Sequence, residues 1–137
     1  MTPSEASAFL ESLFQTAVAT AHPANCLEPH LPQDRTGKAL VIGAGKASAA
    51  MAEAFEAHWQ GPVRGLVVTR YDHGANTKSI RVIEAAHPVP DAEGTLAAQE
   101  TLALIESAEA DETIFCLLSG GGSALLSLPC AQITLSQ

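Results

Sequence analysis

The sequence predicts an α/β fold, a mainly parallel sheet with helices on both faces. Three observations point to it. Short apolar runs alternate with helical patterns along the chain. The runs are apolar on both faces, as strands covered from two sides must be. Two of them, at 38–43 and 113–118, break directly into glycine-rich turns. In such folds ligands sit outside the carboxyl ends of the strands. The loops that carry chemistry, 43–46, 70–74, 86–91 and 119–123, all fall at that end.

Thr2-Pro3-Ser4-Glu5 reads as a helix start, with Thr2 as cap, Pro3 at the first helical position and Glu5 closing a capping box. Phe9, Leu10, Leu13, Phe14, Ala17, Val18 and Ala21 recur at helical spacing, so an amphipathic helix of roughly 18 residues is expected. Residues 22–37 hold three prolines and a glycine and read as a loop or broken turns. A buried strand runs from Lys38 to Gly43, Gly43-Ala44-Gly45 turns the chain, and a helix from Lys46 to Trp59 puts Met51, Phe55 and Trp59 on one face. Leu66-Val67-Val68-Thr69 and Arg81 to Ala85 are the next strands. The prolines of His87-Pro88-Val89-Pro90-Asp91 lack donors and end the second of these. Asp91 can cap a helix to about Ser107, with Ala98, Leu102 and Ile105 facing inward. Thr113 to Leu118 is the last strand, with a helix expected to start at Ser123. Gln137 arrives without a convincing final element.

A chain of 137 residues, 47 % of them hydrophobic, is one domain's worth and can bury a real core. A net charge of −8 and a pI near 4.9 argue against bulk nucleic-acid binding and against attraction to an anionic membrane. An anionic ligand would therefore have to be held by local donors. No apolar run approaches the ~20 residues that span a bilayer, and Met1-Thr2-Pro3-Ser4-Glu5 lacks the basic region of a secretory signal. Cys26, Cys116 and Cys130 form no Cys-x-x-Cys pair and suit reduced thiols in a bacterial-type cytoplasm.

The sharpest candidate site is Ser119-Gly120-Gly121-Gly122-Ser123. A buried strand that breaks into three glycines between serines exposes consecutive backbone N–H groups, and a following helix would add positive partial charge. Together these can hold an anion, usually a phosphate. The plainer reading is a flexible turn, which makes glycine triplets a costly choice. Gly43-Ala44-Gly45-Lys46 is an incomplete dinucleotide fingerprint, because Ser48 stands where the third glycine belongs. It also fails as a Walker loop, with Leu40 at the earlier glycine position and Ala47 after the lysine. What remains is a tight turn that sets Lys46 in the first turn of a helix. The helix dipole resists a cation there, so Lys46 either meets an anion or is a solvated surface lysine. Arg70 could meet a phosphate and Asp72 a hydroxyl or Mg²⁺, with His73 beside them, or residues 70–74 are a polar turn closed by Gly74. His87 and Asp91 are aimed by a stiff proline segment, Asp91 serving first as a helix cap. His22, Cys26 and His30 fall four apart, but Pro23 and Pro29 argue against one helix through them, and no metal site is expected.

Four segments then carry a resemblance. Val41-Ile42-Gly43-Ala44-Gly45-Lys46-Ala47, Thr69-Arg70-Tyr71-Asp72-His73-Gly74, His87-Pro88-Val89-Pro90-Asp91 and Leu118-Ser119-Gly120-Gly121-Gly122-Ser123-Ala124-Leu125-Leu126, in this order, resemble the glycerate 2-kinases of the MOFRL type, which also carry the name hydroxypyruvate reductase. The resemblance implies a Rossmann-like amino-terminal domain over residues 1–137, incomplete, and a second, carboxyl-terminal domain that this chain lacks. It implies ATP-dependent phosphorylation of the 2-hydroxyl of D-glycerate with Mg²⁺, in a cleft between the two domains. Lys46 would be the catalytic lysine. Gly43, Gly45, Ser119, Gly120, Gly121, Gly122 and Ser123 would cradle phosphate, while Arg70, His73, His87 and Asp91 would line the cleft. Asp72 departs from the glycine the family often has there.

Two other readings stay open. An NAD(P)H-dependent hydroxypyruvate reductase would use the turn at 43–45 and Arg70. A non-catalytic nucleotide- or phosphate-binding module would share the anion loops and need no Lys46. A chain with half a cleft is expected to show no turnover alone, and its apolar cleft wall favours self-association, as in a homodimer.

Overall fold

The computed structural model describes residues 1–135. Four strands, β1 (Lys38–Ala44), β2 (Val63–Arg70), β3 (Ile80–Ala85) and β4 (Glu112–Leu118), form one all-parallel sheet in the order β3-β2-β1-β4. The helices are α1 (Pro3–Ala21), α2 (Pro23–Cys26), α3 (Ser48–His58), α4 (Ala92–Glu106) and α5 (Gly122–Leu125), with one 3₁₀ turn at Glu28–His30. The predicted α/β class and its parallel sheet are what the chain adopts.

Alternate residues of each strand feed two cores. On one face Ala39, Val41, Val67, Ile80 and Leu117 meet Ala52, Phe55 and Trp59 of the α3 segment. Phe55, Trp59 and Phe115 pack there with ring centroids 4.9–5.1 Å apart. On the other face Ala44, Leu66, Val68 and Ala85 meet Ala97 of α4 and Leu125 of α5. Met51 packs at the edge of the first core, as its spacing with Phe55 and Trp59 predicts.

Two expectations about burial fail, for one reason. Thr113 to Leu118 reads as a strand covered on both faces, yet β4 is the sheet edge, with Ile114 45 % and Leu118 64 % exposed. Leu102, expected inward, is half exposed. Helix α4 leaves β3 and packs over β3 and β2, so the part of that face formed by β4 stays open, while Leu40 and Ala44 of β1 are buried. Helix α1 is a similar case. Its capping box forms as predicted, Thr2 Oγ1 accepting from the Glu5 amide and Glu5 from the Thr2 amide. Its apolar stripe of Phe9, Leu10, Leu13, Phe14 and Val18 is nevertheless exposed, and no residue of α1 is buried.

The cations at the amino ends of β1 and β2 are paired. Lys38 Nζ lies 2.6 Å from Glu109 Oε2 and 3.0 Å from Asp111 Oδ2. The Arg64 guanidinium forks onto Glu112, with Nε–Oε1 at 2.6 Å and Nη2–Oε2 at 2.7 Å. That fork, with the Glu109 amide, pulls the Glu112 carboxyl from 4.5 down to about 2.

Candidate functional site

The strand register brings the carboxyl ends level. Ala44 is level with Leu118 on one side and Val68 on the other, and Arg70 is level with Ala85. The four loops predicted to matter therefore leave one edge of the sheet. The strand order also reverses there. From β1 the chain proceeds to β2 and then β3 on one side, and β4 returns to the other. The crevice of a parallel sheet opens at such a switch point. Here it is flanked by the turn after β1 and the glycine loop after β4.

Those two segments are stitched together. The Ser119 amide donates to Ala44 O (3.1 Å), the Lys46 amide to Gly120 O (3.1 Å), and the Ala47 amide to Ser119 Oγ (2.9 Å). Gly45, at φ 131°, has to be glycine for this contact, since a Cβ would stand 2.2 Å from Ser119 Oγ and 2.5 Å from Ser119 O. Ser48, at the third-glycine position, is buried, and its hydroxyl lies within bonding distance of Gly45 O (2.9 Å) and Val68 O (2.6 Å). Gly43 remains inside β1.

Helix α3 begins at Ser48 rather than Lys46. Lys46 therefore stands in the turn before it, and the dipole conflict expected from a lysine in the first turn does not arise. The physical reason is the Gly45 kink, which Ser48 closes from inside. The Lys46 side chain is exposed, and its ammonium, like the charged groups of few other cations in this acidic chain, has no carboxylate among the described residues. The helix expected at Ser123 starts one residue earlier, at Gly122, and is a single turn. Gly121 precedes it at φ 90°. A Cβ on Gly121 would lie 2.9 Å from His87 Nε2 and 3.1 Å from Lys46 Cε. The imidazole and the lysine stem thus close on Gly121 from two directions. Within the described residues nothing accepts from the amides of Gly120 and Gly121.

The remaining candidates are engaged with one another. Arg70 Nε donates to His73 Nδ1 at 3.1 Å. Asp91 caps α4, Oδ1 accepting from the Gly94 amide at 3.0 Å, while Oδ2 accepts from the Tyr71 hydroxyl at 2.8 Å. Burial works against the charged Asp91, but these donors outweigh it and lower its carboxyl below the usual range. The same bond raises the Tyr71 phenol. Tyr71 and Glu84 are absent from the candidates drawn from the sequence. Glu84 Oε1 accepts from the His73 and Gly74 amides at 3.1 and 3.0 Å and so shapes that turn. An acid inside an apolar strand, one step from its end, was the available signal. Among the described residues no three His, Cys, Asp or Glu side chains gather as metal ligands. His22 caps α2 and Cys26 Sγ donates to Ala21 O, so the 22–26–30 spacing is used locally.

The molecule is thus an open parallel α/β sheet whose switch point brings together unpaired amides and a lysine without a carboxylate among the described residues. The chain belongs to the family described as "Domain of unknown function (DUF4147)", which it matches over residues 9–137. It is 42 % identical over 93 % of its length to an Agrobacterium vitis protein named "Putative hydroxypyruvate reductase", covering 29 % of that protein. It is 45 % identical over 68 % of its length to the glycerate 2-kinase of Pyrococcus horikoshii, covering 21 % of it. The crystal structure of a Thermotoga maritima glycerate kinase superposes with a TM-score of 0.76 at 30 % identity, over 98 % of this chain and 33 % of that one. The chain thus spans less than a third of the length of these curated relatives.

Proposed function

We propose that this chain forms the anion-binding side of a glycerate 2-kinase active site, in a protein that transfers the γ-phosphoryl group of ATP to the 2-hydroxyl of D-glycerate. One observation carries the reading: the free amides of Gly120 and Gly121 and the unpaired Lys46 converge at the switch point of the sheet. Phosphoryl transfer asks of a protein mainly positioning and charge neutralisation. The amides would hold phosphate oxygens, and Lys46 would offset charge on the transferring group or grip the carboxylate of glycerate. ATP supplies the phosphoryl group. Mg²⁺ normally binds through one or two carboxylates and the phosphates themselves. Among the described residues no three His, Cys, Asp or Glu side chains gather to hold it. The three free thiols suit a reducing cytoplasm.

The reductase reading is weakened by Gly45 and Ser48. In a dinucleotide turn the glycines make room for pyrophosphate and for close strand–helix packing. Here the space beside Gly45 is filled by Ser119 of the same chain, and a serine occupies the packing position. The deciding experiment gives the complete gene product ATP with D-glycerate, then NAD(P)H with hydroxypyruvate. ATP consumption is expected, and NAD(P)H oxidation without it would overturn the proposal. Residues 1–137 alone should turn over neither substrate pair.

A further inference from the structure

We infer that His87 takes the proton from the acceptor hydroxyl, an inference that rests on the kinase reading above. The carboxylates and imidazoles on the four loops and at the end of β3 are Asp72, His73, Glu84, His87 and Asp91. His73 Nδ1 accepts from Arg70, Glu84 Oε1 accepts from two amides, and both oxygens of Asp91 are taken by Gly94 and Tyr71. Asp72 stands exposed in the turn after β2, at φ 63°. His87 alone lies against the anion seat, its Nε2 and Lys46 Cε both about 3 Å from the point where a Gly121 Cβ would stand. The ring and the end of the lysine stem are therefore within about 6 Å of each other across Gly121. No side-chain hydrogen bond within the described residues uses either ring nitrogen of His87.

An imidazole in the neutral pH range carries a lone pair on one nitrogen, and a base must come within hydrogen-bond reach of the proton it removes. A small hydroxy acid whose phosphoryl donor rests on Gly120 and Gly121 would bring its hydroxyl to this ring. In the step, the hydroxyl oxygen bonds to the γ-phosphorus of ATP. The bond from that phosphorus to the β,γ-bridging oxygen breaks, and ADP leaves with the electron pair. The hydroxyl proton passes to the His87 ring and on to solvent. Beside the ring, across Gly121, stands Lys46 of the turn after β1, and the other charged and titratable groups on the neighbouring loops are Arg70, Tyr71, Asp72 and His73 after β2 and Asp91 on its own loop. The loop after β4 contributes none.

The test uses the complete gene product. Turnover and both KM values, for D-glycerate and ATP, are measured across the neutral pH range for the wild type, His87→Gln and His87→Ala, the last with and without added imidazole. Thermal melts check folding. His87→Gln should lower kcat about 10²- to 10³-fold, leave both KM values nearly unchanged and abolish the acidic limb of the kcat profile. Imidazole should restore part of the His87→Ala activity. The inference is overturned if His87→Gln keeps wild-type kcat with the same acidic limb, or if its loss lies in KM alone. Should His87→Gln fail to fold, absence of imidazole rescue in folded His87→Ala would overturn it equally. A wild type that never consumes ATP with glycerate sinks the kinase reading itself, a result distinct from normal kinase turnover in the His87 variants.

Discussion

The two ends of β1 and β2 treat charge in opposite ways. At the amino ends of the strands, Lys38 is held by Glu109 and Asp111, and Arg64 is forked onto Glu112. At the carboxyl ends, Lys46 has no carboxylate partner among the described residues, and Arg70 has only a histidine. The chain is acidic, with a net charge of −8, so a lone lysine at one end is not for want of acids. Paired cations tie strands and loops together. An unpaired one beside free amides leaves its field available to a ligand.

The largest effect that would sharpen this contrast is Lys46→Met. Among the described residues nothing is bonded to that ammonium, so unfolding midpoints should hardly move. Phosphoryl transfer by the complete gene product should fall about 10²- to 10³-fold. Kinase turnover that survives Lys46→Met would break the contrast and favour a binding module.

Gly121→Ala should come next. The residue sits at φ 90°, where a side chain costs roughly 1–2 kcal/mol. Its methyl would also stand 2.9 Å from His87 Nε2 and 3.1 Å from Lys46 Cε. We expect a stability loss of that order in denaturant titrations. Turnover should fall at least about tenfold, because His87 and Lys46 must move apart. A variant with normal turnover would show that the three residues do not act together.

How much of this was legible in the sequence varies with the range of the interaction. The strands were, because each is an apolar run bounded by glycine, proline or charge, and Thr2 and Asp91 announce their helices through local caps. The four loops at one edge followed from parallel strands alone. What could not be read is what other parts of the chain decide. Ser119, far along the chain, fills the space beside Gly45, which shifts the start of α3 past Lys46. The position of β4 at the sheet edge depends on strand order, and no local pattern in Thr113–Leu118 encodes it. The neighbourhood of His87 and Gly121 is of the same kind, since only a folded sheet sets the loops after β3 and β4 side by side.

A smaller effect is expected at the amino end, and it depends on pH. Glu112 has its carboxyl lowered, first by the Arg64 side chain, from 4.5 to about 2. A group lowered in the folded state stabilises the fold above its unfolded value and loses that contribution as pH falls through its folded value. Stability should therefore decline between about pH 4.5 and about 2, and Glu112→Gln should flatten that part of the curve. The variant should leave turnover at neutral pH intact. An unchanged acid profile would mean that the fork does not hold in solution.

Lys38→Met should have the smallest effect, and it is the matched control for Lys46→Met. The same atoms are removed from the same strand, β1, at its start rather than just past its end. Lys38 has two carboxylates within reach, but its side chain is 44 % exposed and theirs are 62 % and 66 % exposed. Water screens such pairs, and holding long side chains in one geometry costs entropy. The pairing still raises the Lys38 ammonium above its ordinary value, chiefly through Glu109. Any stabilisation should therefore be slight and should fade with added salt. Turnover should be that of the wild type, because the ammonium is at the far end of the strand from Lys46 and the glycine loop. If Lys38→Met lowered turnover as much as Lys46→Met, the loss would reflect the net charge of an acidic protein binding anionic substrates. The local isolation of Lys46 would then carry no meaning.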